Sequence, residues 1–258
     1  MGELIPLFPL GTPLFPGVVL PLHIFEPRYR RLMRDLMTVP ESSGRRFFGV
    51  VAIRQGWEVE RIAPAEALYD VGCTAAVRRV AAQPDGGFAI VTVGGDRFRL
   101  LDVVVDEDPP YLRGRIEWLA DEEAAEEAAG NADALGSTAA ADELVEAVAR
   151  GSLEVLATGV ARLFARYVGQ VAALGAGGDE EEVAELLQQA DDPVALSWLV
   201  ASASLLTTED RQALLAESAT RRRLAAEARV LRRELTLLET LGAVPAPLRQ
   251  FATPMTVN

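Results

Sequence analysis

The residue composition and hydrophobic spacing of the chain change once, near residue 120, and this change limits the possible folds more than any other feature. Before it, short runs rich in β-branched and aromatic residues alternate with glycine, proline and aspartate, a pattern typical of β-strands. After it, alanine, leucine and glutamate recur at helical spacing. We therefore predict an α+β fold with a β-rich part over residues 1–119 and an α-helical bundle over residues 120–258, the latter with an acidic, alanine-rich insertion near 120–150.

The β-rich part is predicted to hold a series of strands and one helix. The strands are expected at residues 18–22, 47–53, 57–62, 68–80, 88–93, 97–105 and 112–119. The helix is expected from Pro27 to residue 37, because proline suits the first turn of a helix. The sequence PDGG at residues 84–87 predicts a tight turn between two strands.

The second part is predicted to be helical throughout. Helical spacing covers residues 120–129, 140–173, 179–190, 193–205, 208–217 and 219–241, with a loop at 130–138 and a glycine-rich break at 175–178. Asp192 and Thr207 are expected to cap two of these helices, because their side-chain oxygens can accept from free backbone N–H groups.

The charged residues exclude several kinds of chemistry. The chain contains no lysine, so all of its 25 basic side chains are arginines, and its net charge is −13. A guanidinium stays protonated in the cell, so Schiff-base and general-base lysine chemistry and phosphate loops that end in GK are excluded. Residues 106–150 carry 3 arginines against 13 acids, and such a field disfavours extended nucleic-acid binding.

No catalytic, cofactor-binding or metal-binding residues are predicted, and we do not expect an enzyme. The single histidine, His23, lies in an apolar run and is interpreted as structural, while the single cysteine, Cys73, alternates with Val71 and Ala75 as a packed strand residue does. One histidine and one cysteine cannot build the common zinc motifs. No apolar run is long enough to span a membrane and no leader is seen, so we expect a cytoplasmic protein.

The amino-terminal sequence carries a specific family signature. Residues 4–10 read LIPLFPL and residues 14–30 read LFPGVVLPLHIFEPRYR, and together they strongly resemble the amino-terminal domain of Lon proteases. Further matching stretches, in the order that this family shows, are FFGVV at 47–51, VGCTA at 71–75, GDRFRLL at 95–101, PYL at 110–112, LSWLVA at 196–201 and RVLRRE at 229–234.

The resemblance implies a six-stranded pseudo-barrel of the PUA-like kind, followed by a helical bundle. It also implies a substrate-binding role, with unfolded or tagged polypeptides and a protease as the partners. The chain has no Walker motif and no lysine to complete a Ser-Lys dyad. We therefore expect a free-standing, non-catalytic protein without a cofactor that acts as an adaptor or regulator of proteolysis.

Five residues of the proline-interrupted amino-terminal segment are candidate contacts for a polypeptide. They are Phe15, Pro16, Pro21, Leu22 and Phe25. Proline cannot donate to a strand ladder, so this segment is expected to leave backbone groups unpaired and to offer an edge or an apolar patch to an extended chain. Packing in the core is the alternative for each of the five.

Two other functions stay open at this stage. Arg97, Arg99, Arg113 and Arg115 could hold an anion at the mouth of the barrel, which would make the protein a small-molecule binder or an enzyme. RNA binding is the third possibility, because PUA-like barrels can bind RNA, although the charge disfavours it.

Overall fold

The computed structural model describes residues 2–54, 65–121, 139–174, 187, 190 and 192–242. The strands are β1 (Glu3–Leu10), β2 (Val19–Ile24), β3 (Phe47–Ala52), β4 (Val71–Ala82), β5 (Phe88–Val104) and β6 (Arg113–Leu119). The helices are α1 (Pro27–Thr38), α2 (Ala139–Ala173), α3 (Pro193–Ala203), α4 (Thr208–Ala216) and α5 (Thr220–Leu241). Short 3₁₀ turns lie at Glu41–Ser43 and Ala65–Ala67.

The strands form one mixed sheet in the order β2-β5-β4-β3-β1-β6, and a further pairing between β5 and β6 closes it. β1 runs parallel to β3, and every other pair is antiparallel. β4 covers one edge of the long strand β5, so β2 and β6 lie one after the other along its other edge. The predicted α+β fold, a pseudo-barrel followed by helices, is confirmed.

Strand β1 was not among the predicted strands, because prolines at positions 6 and 9 interrupt its pattern. Leu7 N–H donates to Leu112 O on the β6 side, whereas Leu10 O accepts from Ile53 N–H on the β3 side. Successive residues of a strand direct their backbone groups to opposite edges, so Pro9 faces the same side as Leu7, beyond the end of β6. Its missing N–H therefore breaks no ladder bond.

The expected break between residues 93 and 97 is wrong, because β5 is a single strand of 17 residues. Gly94, within the expected break, allows a close approach of another segment. A Cβ atom at this position would lie 1.9 Å from the carbonyl oxygen of Phe15. The glycine lets the loop before β2 cross directly over β5, and Gly17 N–H donates to Gly94 O at 2.9 Å.

Helix α1 lies between β2 and β3 and closes one side of the barrel. It begins at Pro27 as expected and buries Tyr29, Leu32, Met33 and Leu36, which recur with the helical period. This apolar stripe packs into the barrel core.

The helical part packs onto the barrel through a shared core. Trp198 of α3 and Leu214 and Leu215 of α4 belong to the same buried cluster as Phe15 and the barrel strands. A second cluster joins α2, α3 and α5. Outside the described residues lie the strand predicted at 57–62, the loop at 130–138, the break at 175–178 and most of the helices predicted at 120–129 and 179–190. Residues 120 and 121, which are described, are not helical.

Candidate functional site

Strand β2 presents an exposed and largely apolar side to solvent. Val19, Pro21 and His23 alternate with the more buried Leu20, Leu22 and Ile24. The exposed fraction of Val19 is 58%, and that of Phe25, directly after the strand, is 59%. Large apolar side chains that are this open are uncommon in a strand, because they gain nothing from folding unless something covers them.

The neighbouring strand extends this apolar surface. Val93 lies opposite Val19, and Val91 lies opposite Pro21. Both valines are partly exposed, whereas Ile90 and Thr92, which alternate with them along β5, are buried. We call this surface the outer β2 face, and we define it by Val19, Pro21, His23, Phe25, Val91 and Val93.

Two cations lie beside the outer β2 face. The pairing of β4 with β5 shifts between Val77 and Arg79, so a β-bulge places the consecutive residues Arg78 and Arg79 in solvent. Arg79 lies opposite Val91. Within the described ranges, neither arginine has an acidic partner at ion-pair distance.

A groove of about 290 Å³ lies next to the end of β2. Its walls come from β1, the end of β2 and the start of α1, and its lining residues are Phe8, Pro9, Leu10, Leu22, His23, Ile24, Phe25, Glu26, Arg28 and Tyr29. Phe8 stacks on Tyr29 with 4.1 Å between ring centroids. Burial raises the pKa of Tyr29 to about 12, so its phenol stays neutral and the stacked rings form an uncharged floor.

The structure separates the five candidate contact residues. Phe15 is fully buried, with its ring centroid 6.1 Å from that of Trp198, and it cannot contact a client from the core. Leu22 packs against the same core from the inner side of β2. Pro16 is half-buried in the loop before β2. Of the five, only Pro21 and Phe25 are exposed, so only these two remain candidate contacts on the surface.

Cys73 is a packed strand residue, as expected. Its thiol is buried, and its Sγ atom lies 3.3 Å from Gly95 O. Burial raises the pKa of this thiol to about 12, which suppresses the reactive thiolate. His23, in contrast, is not packed inside the protein but is exposed, 6.1 Å from Phe25 between ring centroids. The described residues contain no group of three metal-ligating side chains.

The anion site suggested for the arginines of β5 and β6 is not formed. Arg97 is buried and donates to Leu215 O at 2.8 Å and to Asp121 Oδ1 at 2.6 Å. Arg99 lies beside Glu117, and Arg113 pairs with Asp106. Arg115 is exposed. Because Arg97 faces the helices while Arg99 and Arg115 are exposed to solvent, the four guanidinium groups do not converge.

A buried cation was missed by sequence analysis. The side chain of Arg223 on α5 is fully buried, and its guanidinium lies 3.5 Å from the centroid of the Trp198 ring. It donates to Ser197 Oγ at 2.8 Å and to Glu217 O at 2.7 Å. Arg97 lies 5.3 Å from the same indole ring. These contacts fasten α5 to α3 and to the barrel, so this cluster is structural.

Sequence reasoning also missed Val19, Val91 and Val93. A signal was present, because polar or small residues do not alternate with the apolar ones in β2 as they do in a half-solvated strand. The run VLPLHI is apolar on both sides apart from its histidine. Such a strand is either buried on both sides or exposes an apolar surface.

The geometry defines a class: an α+β domain whose pseudo-barrel carries an exposed apolar strand and packs on a helical bundle. The sequence profile of the ATP-dependent protease La (LON) substrate-binding domain matches residues 4–233. The chain therefore belongs to the Lon substrate-binding domain family.

The relatives agree with this assignment. Lon protease 1 of Herpetosiphon aurantiacus is 28% identical over 89% of the chain, and the Lon protease of Parabacteroides distasonis is 36% identical over 47% of it. The chain spans about a quarter of the length of the first relative and about a seventh of the second, whose matched shares are 24% and 14%.

Two solved structures share the fold. A Lon N-terminal domain protein from Xanthomonas campestris has a TM-score of 0.54 and 23% identity. The N-terminal domain of a Mycobacterium avium complex Lon protease has a TM-score of 0.56 and 17% identity. Each alignment covers 89% of this chain and 98% of the other.

No described helix is long and apolar enough to cross a membrane.

Proposed function

We propose that this protein binds segments of unfolded polypeptides on the outer β2 face and, without chemistry of its own, supplies them for proteolysis. The exposed apolar row on β2, ending in Phe25, is the observation that carries the proposal. A surface of this kind offers an unfolded chain burial of its apolar side chains, which a folded protein has already achieved internally. The family description as a substrate-binding domain supports the same role.

Arg78 and Arg79 favour a particular kind of client. A guanidinium without an acidic partner beside an apolar face can pair with a carboxylate on the bound segment. Clients with acidic residues next to apolar ones are therefore expected to bind better than clients with basic residues there. Such rim charges mainly affect association rate and specificity.

The non-catalytic assignment is part of the proposal. The chain has no lysine for a Ser-Lys dyad or a phosphate loop, and burial raises the pKa of its only thiol. Binding by this chain and cleavage by a protease are then separate events, and the chain acts as an adaptor or regulator.

The test compares two pairs of exposed apolar residues. The double variant Val19→Ser/Phe25→Ser is expected to bind a labelled, reduced and carboxymethylated reporter protein at least tenfold more weakly, because fully burying such side chains contributes about 1.5–3 kcal/mol each and a tenfold loss requires only about 1.4 kcal/mol. Fluorescence anisotropy measures the affinity. Val155→Ser/Leu241→Ser is the matched control, since these residues are 74% and 68% exposed but lie on the helices.

The control variant is expected to bind as the wild type does. Both variants change surface residues, so circular dichroism should show the same fold and the same melting temperature for each. Equal binding by the two double variants would remove the outer β2 face as the site. A loss in the helical variant alone would move the site to the bundle.

A further inference from the structure

One long edge of β2 has no partner strand in the described parts of the chain. β2 pairs with β5 along the whole of Val19–Ile24 and with no other described strand. Gly94 N–H donates to Val18 O at 2.9 Å, and Thr92 Oγ1 donates to Leu20 O, so Val18 and Leu20 face β5. Successive residues of a strand direct their backbone N–H and C=O groups to opposite edges. The backbone groups of Val19, Pro21 and His23 therefore face away from β5.

These outward groups form a short, open ladder. They comprise the N–H and C=O groups of Val19 and His23 and the C=O group of Pro21. No hydrogen bond joins any of them to another group within the described residues. All three residues are exposed. Within the described part of the chain this edge is therefore open to an incoming strand, which natural proteins normally prevent by covering or blocking such an edge.

We propose that an extended polypeptide segment binds by adding a strand to this free edge of β2, so that recognition is made through the client's backbone as well as its side chains. This inference rests on the proposed function and specifies its mode. Strand addition supplies affinity through main-chain hydrogen bonds that are independent of sequence. A protein that binds many unrelated unfolded chains needs such a sequence-independent contribution to its affinity.

Pro21 favours pairing of β2 with a client strand over pairing with the β2 strand of a second copy of the protein. If two β2 strands paired antiparallel about Pro21, the two prolines would lie opposite each other and neither could donate to the other's carbonyl oxygen. A client strand without proline at that position does donate an N–H to Pro21 O. The proline thus disfavours self-association through this edge and leaves it usable by a foreign chain.

The groove beside β2 accommodates the side chains of such a strand. Leu22 and Ile24, which point to the inner side of β2, line this groove together with Phe8 and Tyr29. Side chains of an added strand alternate between the two sides of the sheet. One set would enter the groove, and the other would continue the outer β2 face beside Val19. The client class is an extended segment that is apolar at alternate positions.

The experiment separates backbone pairing from side-chain contact. A labelled peptide of about eight residues, with apolar and threonine residues alternating, is prepared in three forms. One form is unmodified, and each of the other two carries N-methyl groups on one of the two alternating sets of amides. In a bound strand every second amide faces β2, and the other set of amides faces away from it. Affinity for the unaltered protein is measured by anisotropy.

Strand addition predicts an asymmetric result. One N-methylated form should lose roughly tenfold or more in affinity, while the other stays within about threefold of the unmodified peptide. Equal affinities for both N-methylated forms, or no binding of the unmodified peptide while the unfolded reporter binds, would overturn strand addition and leave the proposed function standing. Failure of every peptide and of the unfolded reporter to bind would overturn the proposed function itself.

Discussion

Replacing Arg223 with methionine is expected to lower the free energy of unfolding by about 3–5 kcal/mol. The fully buried guanidinium lies over the ring of Trp198 and donates to Ser197 Oγ and Glu217 O. Methionine keeps most of the volume but removes both bonds, so Ser197 Oγ loses this donor and Glu217 O keeps only Arg97 Nη1, at 3.2 Å. Each buried acceptor left unsatisfied costs about 1–3 kcal/mol. Denaturant unfolding followed by circular dichroism measures the change.

The same helix provides the control. Arg229→Met removes an exposed arginine from α5, and its effect should stay within about 0.5 kcal/mol. Burial lowers the pKa of Arg223 to about 10, so the side chain remains charged near neutral pH and the comparison is between two cations. If the two variants unfold alike, the cluster around Trp198 does not fasten the bundle to the barrel.

Replacing Phe15 with alanine should lower the free energy of unfolding by about 3–5 kcal/mol, because it removes a fully buried ring and leaves a cavity. The ring lies beside Trp198, and the guanidinium of Arg211 lies 5.3 Å from its centroid. Phe25→Ala removes a ring that is 59% exposed and should cost about 0.5 kcal/mol or less. The measurement is denaturant unfolding of both variants.

The two variants should rank in the reverse order in their effect on polypeptide binding. Below its melting temperature, folded Phe15→Ala is expected to bind the unfolded reporter as the wild type does, whereas Phe25→Ala binds it more weakly. A loss of less than about 1 kcal/mol of stability in Phe15→Ala would contradict its place in the core. Weaker binding by folded Phe15→Ala, with unchanged binding by Phe25→Ala, would contradict the placement of the surface.

Local signals predicted the five described helices well, because helix ends are determined by nearby residues. Asp192 accepts from Ala195 N–H at 2.7 Å, and Thr207 accepts from Asp210 N–H at 3.1 Å, as the caps required. The apolar stripe of α1 and the turn at residues 84–87 were likewise local. Each of these features depends on residues only a few positions apart.

Features that depend on distant residues were not accessible from the sequence. Gly94 looks like a strand break until the loop containing Phe15 is seen to cross it. Arg223 looks like one of several surface arginines in RRR, yet its partners come from α3 and from the segment between α4 and α5. The helical period places Arg223 on the same stripe as Leu231 and Leu235, but the sequence does not show the distant partners that satisfy its charge there.

The candidate surface was predicted as a segment but not as individual residues. Phe15 and Phe25 have similar apolar neighbours, and only the fold shows that the first lies in the core and the second in solvent. Side chains alternate between the two sides of β2, so Leu22 faces inward while Pro21 faces outward. Which set of side chains faces inward depends on the pairing of β2 with β5, some seventy positions away along the chain.

The central claim is that unfolded polypeptides contact the outer β2 face, and site-specific photocrosslinking tests it most directly. A photoreactive benzoylphenylalanine is placed at position 25 in one protein and at position 155 in another, both of which are exposed. The two proteins are irradiated with the unfolded reporter at equal concentrations. The account predicts a crosslinked adduct from position 25 that excess unlabelled reporter abolishes, and none from position 155. Equal adducts from both positions, or an adduct from position 155 alone, would contradict it.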